Sequence, residues 1–73
     1  MRKNVAGARI RVLRKELSGK VSQRAFAELL QLAGLDLTKN AIQRMESGQR
    51  SISDIELRMI AVFFGVTADD LLS

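Results

Sequence analysis

The most distinctive chemistry in this sequence lies in one short stretch. Lys39, Asn40, Gln43 and Arg44 stand close together, followed by Ser47. All five side chains can donate hydrogen bonds. Arg, Lys, Asn and Gln are also the side chains that reach purine edges in a DNA major groove. On a helix, only Ala41, Ile42 and Met45 of this stretch look inward, and the five donors crowd the rest. Glu46 is the one acid among them.

Other chemistries are poorly served. The chain has no His and no Cys, which removes zinc ligation by those residues, imidazole-dependent triads and any disulfide frame. Gly19-Lys20 looks like the end of a phosphate loop, but Arg14 stands where the first glycine of such a loop is required. Glu28, Glu46 and Glu56 fall on different predicted helices with no marked pairing, so catalysis, a metal and a cofactor are not expected. Single-strand readers stack bases on aromatic rings. Here there are three Phe, no Tyr and no Trp, and each Phe sits at a core or helix-start position. The Gly-x-x-Gly clamp of one RNA-binding fold is also missing. Double-stranded DNA is the better match.

Charge favours the same partner. The net charge is +4, but residues 1–24 carry eight Lys/Arg against Glu16 alone, while residues 51–73 carry Arg58 against Asp54, Glu56, Asp69 and Asp70. A basic front and an acidic back suggest that one end meets a polyanion. Arg9, Arg11 and Lys20 are candidate phosphate contacts on the basic end. With 47% hydrophobic and 27% charged residues, 73 residues can form one small folded domain over 1–73. The apolar run Met59–Val66 is too short to cross a bilayer, and Arg9 interrupts the start that a signal peptide would need. A soluble intracellular domain is expected. A helix lying on a membrane is a poor alternative, because the apolar face of helix one lacks Phe or Trp and is needed for the core.

The elements that must position these residues are all helical. Ala6, Ile10, Leu13 and Leu17 recur at helical spacing within a first helix over Asn4–Leu17, stopped by Ser18-Gly19-Lys20. Four later starts share one pattern: a polar cap with an apolar residue before it and another four residues after it. These are Val21-Ser22 with Phe26, Leu37-Thr38 with Ile42, Ile52-Ser53 with Leu57, and Val66-Thr67 with Leu71. Glu56 and Asp70 can complete capping boxes with Ser53 and Thr67. Gly34, Gly48 and Gly65 mark helix ends. The expectation is an all-α chain of five helices. In helix four, Leu57, Ile60, Ala61 and Phe64 form a core stripe, while Ile55, Met59, Val62 and Phe63 make its back apolar too.

Three segments together carry a family resemblance. They are Ser22-Gln23-x-x-Phe26-Ala27-Glu28-Leu29-Leu30, Thr38-x-x-Ala41-Ile42-x-Arg44-Met45-Glu46-Ser47-Gly48 and Ile60-Ala61-x-x-Phe64-Gly65-Val66-Thr67-x-Asp69-x-Leu71-Leu72. From about Val5 to Leu72 the chain resembles the Xre/phage-repressor helix-turn-helix family, which includes lambda repressor and Cro-like proteins. The resemblance implies a compact five-helix lambda-repressor-like DNA-binding domain, with helix two across the phosphate backbone and helix three in the major groove. It implies a base-reading surface of Thr38, Lys39, Asn40, Gln43 and Arg44. It also implies phosphate contacts from Gln23 and Arg50, and a structural ion pair between Glu46 and Arg14.

Two departures from the family pattern stand out. Seven residues, Gln31 to Leu37, separate Leu30 from Thr38 where the family usually has about two. We read them as an extra turn of helix two through Leu32, then a looser connection anchored by Leu35 and Leu37, so the helix-turn-helix has a lengthened turn. Met59 and Val62 stand where relatives often place lysines. With Phe63 and Leu72 they make a candidate dimer interface. The expected function is sequence-specific regulation of transcription, with repression the expected role, by a homodimer on a palindromic operator. The competing class is a protein-interaction module, such as an antitoxin or adaptor, using the apolar surface of helix four on a protein partner.

Overall fold

Short polar side chains set the helix starts. The oxygens of Ser22, Thr38 and Ser53 accept from the backbone N–H of Ala25, Ala41 and Glu56, at 3.0, 3.2 and 3.2 Å. Each cap satisfies a donor that the first turn leaves without a helical partner and contributes about 1 kcal/mol. At Ser53 and Thr67 the exchange is reciprocal. The Ser53 N–H donates to Glu56 Oε1 at 3.0 Å, and the Thr67 N–H donates to Asp70 Oδ2 at 3.2 Å.

The computed structural model describes residues 6–72. These form α1 (Ala6–Glu16), α2 (Gln23–Leu32), α3 (Lys39–Glu46), α4 (Asp54–Phe64) and α5 (Ala68–Leu72), with no strand among the described residues. Asn4 and Val5, expected in the first turn of α1, lie outside the described residues, as does the basic start Met1-Arg2-Lys3.

The core gathers one face from every helix. Ile10, Phe26, Leu30, Ile42, Met45, Ile60 and Leu71 are fully buried. The apolar residues that precede the caps follow them inward: Leu37 is buried, while Val21, Ile52 and Val66 are half-buried against this cluster. α3 packs on α1 and α2, and α5 packs on α1 and α4. The two-sided apolar character of α4 is only partly exposed. Ile55 and Val62 are open to solvent, but Phe63 turns its ring edge-on to Phe26 and Phe64, with centroids 5.5 and 5.3 Å away. Such edge contacts add to the area that the rings bury.

The lengthened connection between α2 and α3 is ordered by its own hydrogen bonds. Leu35 N–H donates to Leu30 O at 2.8 Å, and Gly34 N–H donates to Gln31 O at 3.0 Å. This paired closure requires a left-handed residue at Gly34, whose φ is 98°. Leu35 and Leu37 then enter the core, and Thr38 caps α3. Between α1 and α2 the reversal, residues 17–22, uses left-handed backbone at two successive positions. Gly19 and Lys20 both have positive φ, and at 53° Lys20 is the one non-glycine residue among those described to do so.

Candidate nucleic-acid interface

α3 is held from beneath and left open above. Ile42 and Met45 are buried, Ala41 is half-buried, and Thr38, Lys39, Asn40, Gln43 and Arg44 are all exposed. Nothing among the described residues covers the flank that carries Lys39, Asn40, Gln43 and Arg44. The helix is therefore presented outward, as a rod entering a groove must be.

Its C-terminal end is fixed by buried charge. Glu46, the last residue of α3, receives Arg14 Nε at 2.7 Å on Oε2 and Arg14 Nη2 at 3.0 Å on Oε1. Both side chains are almost wholly buried. Arg14 Nη1 also donates to Val21 O at 2.8 Å, and Gln23 Nε2 donates to Glu46 Oε1 at 3.0 Å. The two-pronged fork satisfies both carboxylate oxygens, as a buried charge requires. No buried side-chain nitrogen or oxygen among the described residues lacks a partner. Arg14 in α1, Gln23 at the start of α2 and Glu46 at the end of α3 thus meet at one carboxylate.

The expected phosphate contacts fall into three situations. Arg9, Arg11 and Lys20 are exposed. Arg11 borders a notch with Gln23, Gln43 and Ser47, beside the exposed flank of α3. Lys20 and Lys15 border a shallow depression at the α2 cap, Ser22, where the helix dipole adds positive potential. Gln23 commits one amide hydrogen to Glu46. Arg50, expected as a backbone-contacting loop cation, is also paired within the fold. Its Nη1 and Nη2 donate to Glu56 Oε1 and Oε2 at 3.0 and 2.9 Å, and Nη1 also donates to Ser51 O at 3.1 Å. Through Glu56 it braces the cap of α4. Arg24, which sequence reasoning passed over, is well exposed, with only a loose 3.8 Å pairing to Glu28. It borders a groove that also includes Gln31, Thr38 and Lys39. Its place in the first turn of α2, next to Gln23, was the available signal.

A family model described as helix-turn-helix matches residues 10–71. The chain belongs to this family, that of the Xre and lambda-repressor-like proteins. No curated protein and no solved structure matches it. Family membership makes the chain a DNA-binding helix-turn-helix regulator, with α2 and α3 as the motif. No helix among the described residues is long and apolar enough to cross a membrane. No group of three or more acidic residues among them is arranged to hold a metal ion.

Among the candidate interface residues of the helix-turn-helix domain, Val62 is 79% exposed and Leu72 is 49% exposed. Met59 and Phe63 are half-buried, so of the four candidate interface residues two are open and two are partly used by the core.

Two outcomes are expected from these pairs. Removing one member of the buried pair, as in Glu46→Ala or Arg14→Met, should destabilise the fold by about 3–5 kcal/mol in urea unfolding. The double variant Arg14→Met/Glu46→Leu should recover at least half of that loss, because no charge is then left buried. At the second pair, the Arg50 fork holds the Glu56 carboxyl below its ordinary value of 4.5, with burial opposing and the Ser53 N–H assisting. Arg50 itself is pushed upward by the same hydrogen bonds. A carboxyl depressed in the folded state stabilises above its unfolded pKa, and that contribution is lost as pH falls through the folded one. The stability gap between the native chain and Glu56→Gln should therefore be full at neutral pH and close below the ordinary carboxyl value. A pH-independent gap would refute this.

Proposed function

We propose that the protein is a sequence-specific regulator of transcription, most simply a repressor, acting as a homodimer on a palindromic double-stranded operator. The carrying observation is the uncovered flank of α3 above a base of Ile42, Met45 and buried Glu46. In this reading, Thr38, Lys39, Asn40, Gln43 and Arg44 meet base edges in the major groove. Arg9, Arg11 and Lys20 neutralise phosphates. Gln23 joins them through the second hydrogen of its amide nitrogen, the first being on Glu46. No catalytic step is assigned, and the place of action is wherever prokaryotic or phage DNA lies, in the cytoplasm.

Dimerisation follows from the size of the reading surface. One eight-residue helix reaches few base pairs, and each good two-pronged contact discriminates by about 1–3 kcal/mol. Two half-sites about one helical turn apart double that discrimination. Exposed Val62 and Leu72, with the accessible parts of Met59 and Phe63, are the proposed contact between copies. The same exposed residues favour a second reading, in which this face binds another protein as its main task.

Salt separates the readings. Binding to DNA through several phosphates should weaken by orders of magnitude between about 50 and 200 mM salt, whereas association through the apolar face should barely respond. Arg44→Ala should cost about 1–3 kcal/mol on a selected site and little on random duplex, measured by titration at fixed salt. Equal losses on both would make Arg44 a phosphate contact. Met59→Lys/Val62→Lys should elute as a folded monomer on sizing, with its helical spectrum retained. An unchanged dimer would move the interface elsewhere.

A further inference from the structure

The lengthened connection raises a mechanical question that a short turn does not. A turn of about two residues fixes the second helix of such a motif by covalent geometry alone. Here Ala33–Thr38 intervene, and the recognition helix needs another restraint at its N-terminal end. The structure supplies one side-chain restraint there. Gln31, in the last turn of α2, donates from Nε2 to the carbonyl of Leu37 at 2.9 Å. Leu37 is the residue immediately before the α3 cap, and its side chain is buried.

We infer that Gln31 is a positioning residue for base recognition, one that sets the attitude of the N-terminal end of α3 through Leu37 O. This rests on the proposed reading of α3 as the helix that enters the major groove. The two ends of α3 are then held by different means. Glu46 is gripped by Arg14 and Gln23 at the C-terminal end, while Leu37 is gripped by Gln31 at the other. Leu35 and Leu37 fix how deep the connection sits, but apolar contacts are not directional. Hydrogen bonds are directional. The backbone bonds of Gly34, Leu35 and Leu37 order the start of the connection and its own turn, and Gln31 adds the side-chain bond that ties its last carbonyl before the cap back to α2. Releasing it lets Thr38, Lys39 and Asn40 shift against the bases they face. Gln43 and Arg44, one turn closer to the buried carboxylate, stay in place.

The test uses Gln31→Met, which keeps length and apolar reach but cannot donate. Both chains are taken through selection from a random duplex library, and amide hydrogen exchange is followed in the absence of DNA. Exchange of the Ala41 and Ile42 amides should speed up roughly three- to tenfold, the size of one net hydrogen bond, with the last turn of α3 unchanged. In the selected sites, preference should weaken by a similar factor at the base pairs facing Thr38–Asn40 and persist at those facing Gln43 and Arg44. Unchanged exchange overturns the inference, as does unchanged or evenly weakened preference at both ends. If the native chain itself selects no site, the reading of α3 fails and takes this inference with it, whatever the exchange shows.

Discussion

The buried fork between Arg14 and Glu46 is the constraint on which the rest of the structure turns. α3 has eight residues, too few for a stable helix on its own, and it gives the core little beyond Ile42, Met45 and part of Ala41. Apolar packing on so narrow a face tolerates sliding. A buried carboxylate does not, because any displacement that parts Glu46 from Arg14 leaves an uncompensated charge in a low-dielectric interior. The pair thus specifies where α3 sits more sharply than it adds stability. The contribution of Gln23 from α2 extends the same lock to both helices of the motif.

A division of surface follows. With its C-terminal end locked from below, α3 can leave its whole upper flank polar and open. The core is completed by residues outside the motif: Ile10 from α1, Ile60 from α4 and Leu71 from α5. Phe26 links the two regions, since it belongs to α2 but stacks on Phe64 at 5.4 Å and meets the edge of Phe63. Two of the apolar residues left outside, Ile55 and Val62, lie on α4, which packs on α5 and carries none of the proposed base-reading residues.

Local signals made most of the fold legible in the sequence. Ser22, Thr38, Ser53 and Thr67 act within three residues of themselves, so the starts of α2 to α5 could be read from short patterns. The burial of Leu35 and Leu37 was legible for a similar reason, as apolar residues in a polar connection. The Arg14–Glu46 pair spans 32 residues and came only through the family resemblance, because no spacing rule links two charges that far apart. The Arg50–Glu56 pair left no separate trace, because the spacing of Ser53 and Glu56 marks Glu56 as a capping residue alone. The Glu56 carboxylate serves Ser53 and Arg50 together. Phe63 fell on the back of α4 by periodicity, and only the three-ring contact with Phe26 and Phe64 draws it inward. Gln31 was illegible in principle, since a glutamine reaching a loop carbonyl leaves no periodic trace.

The backbone of Lys20 carries a consequence of its own. A side chain held at φ 53° costs roughly 1–2 kcal/mol relative to an ordinary conformation, and Gly19 beside it shows that the reversal could be built from glycine. A lysine there keeps a cation at the mouth of the α2 cap in exchange for conformational strain. Stability and charge are therefore opposed at this position, and a chain selected only for resistance to heat would be free to give up the lysine first.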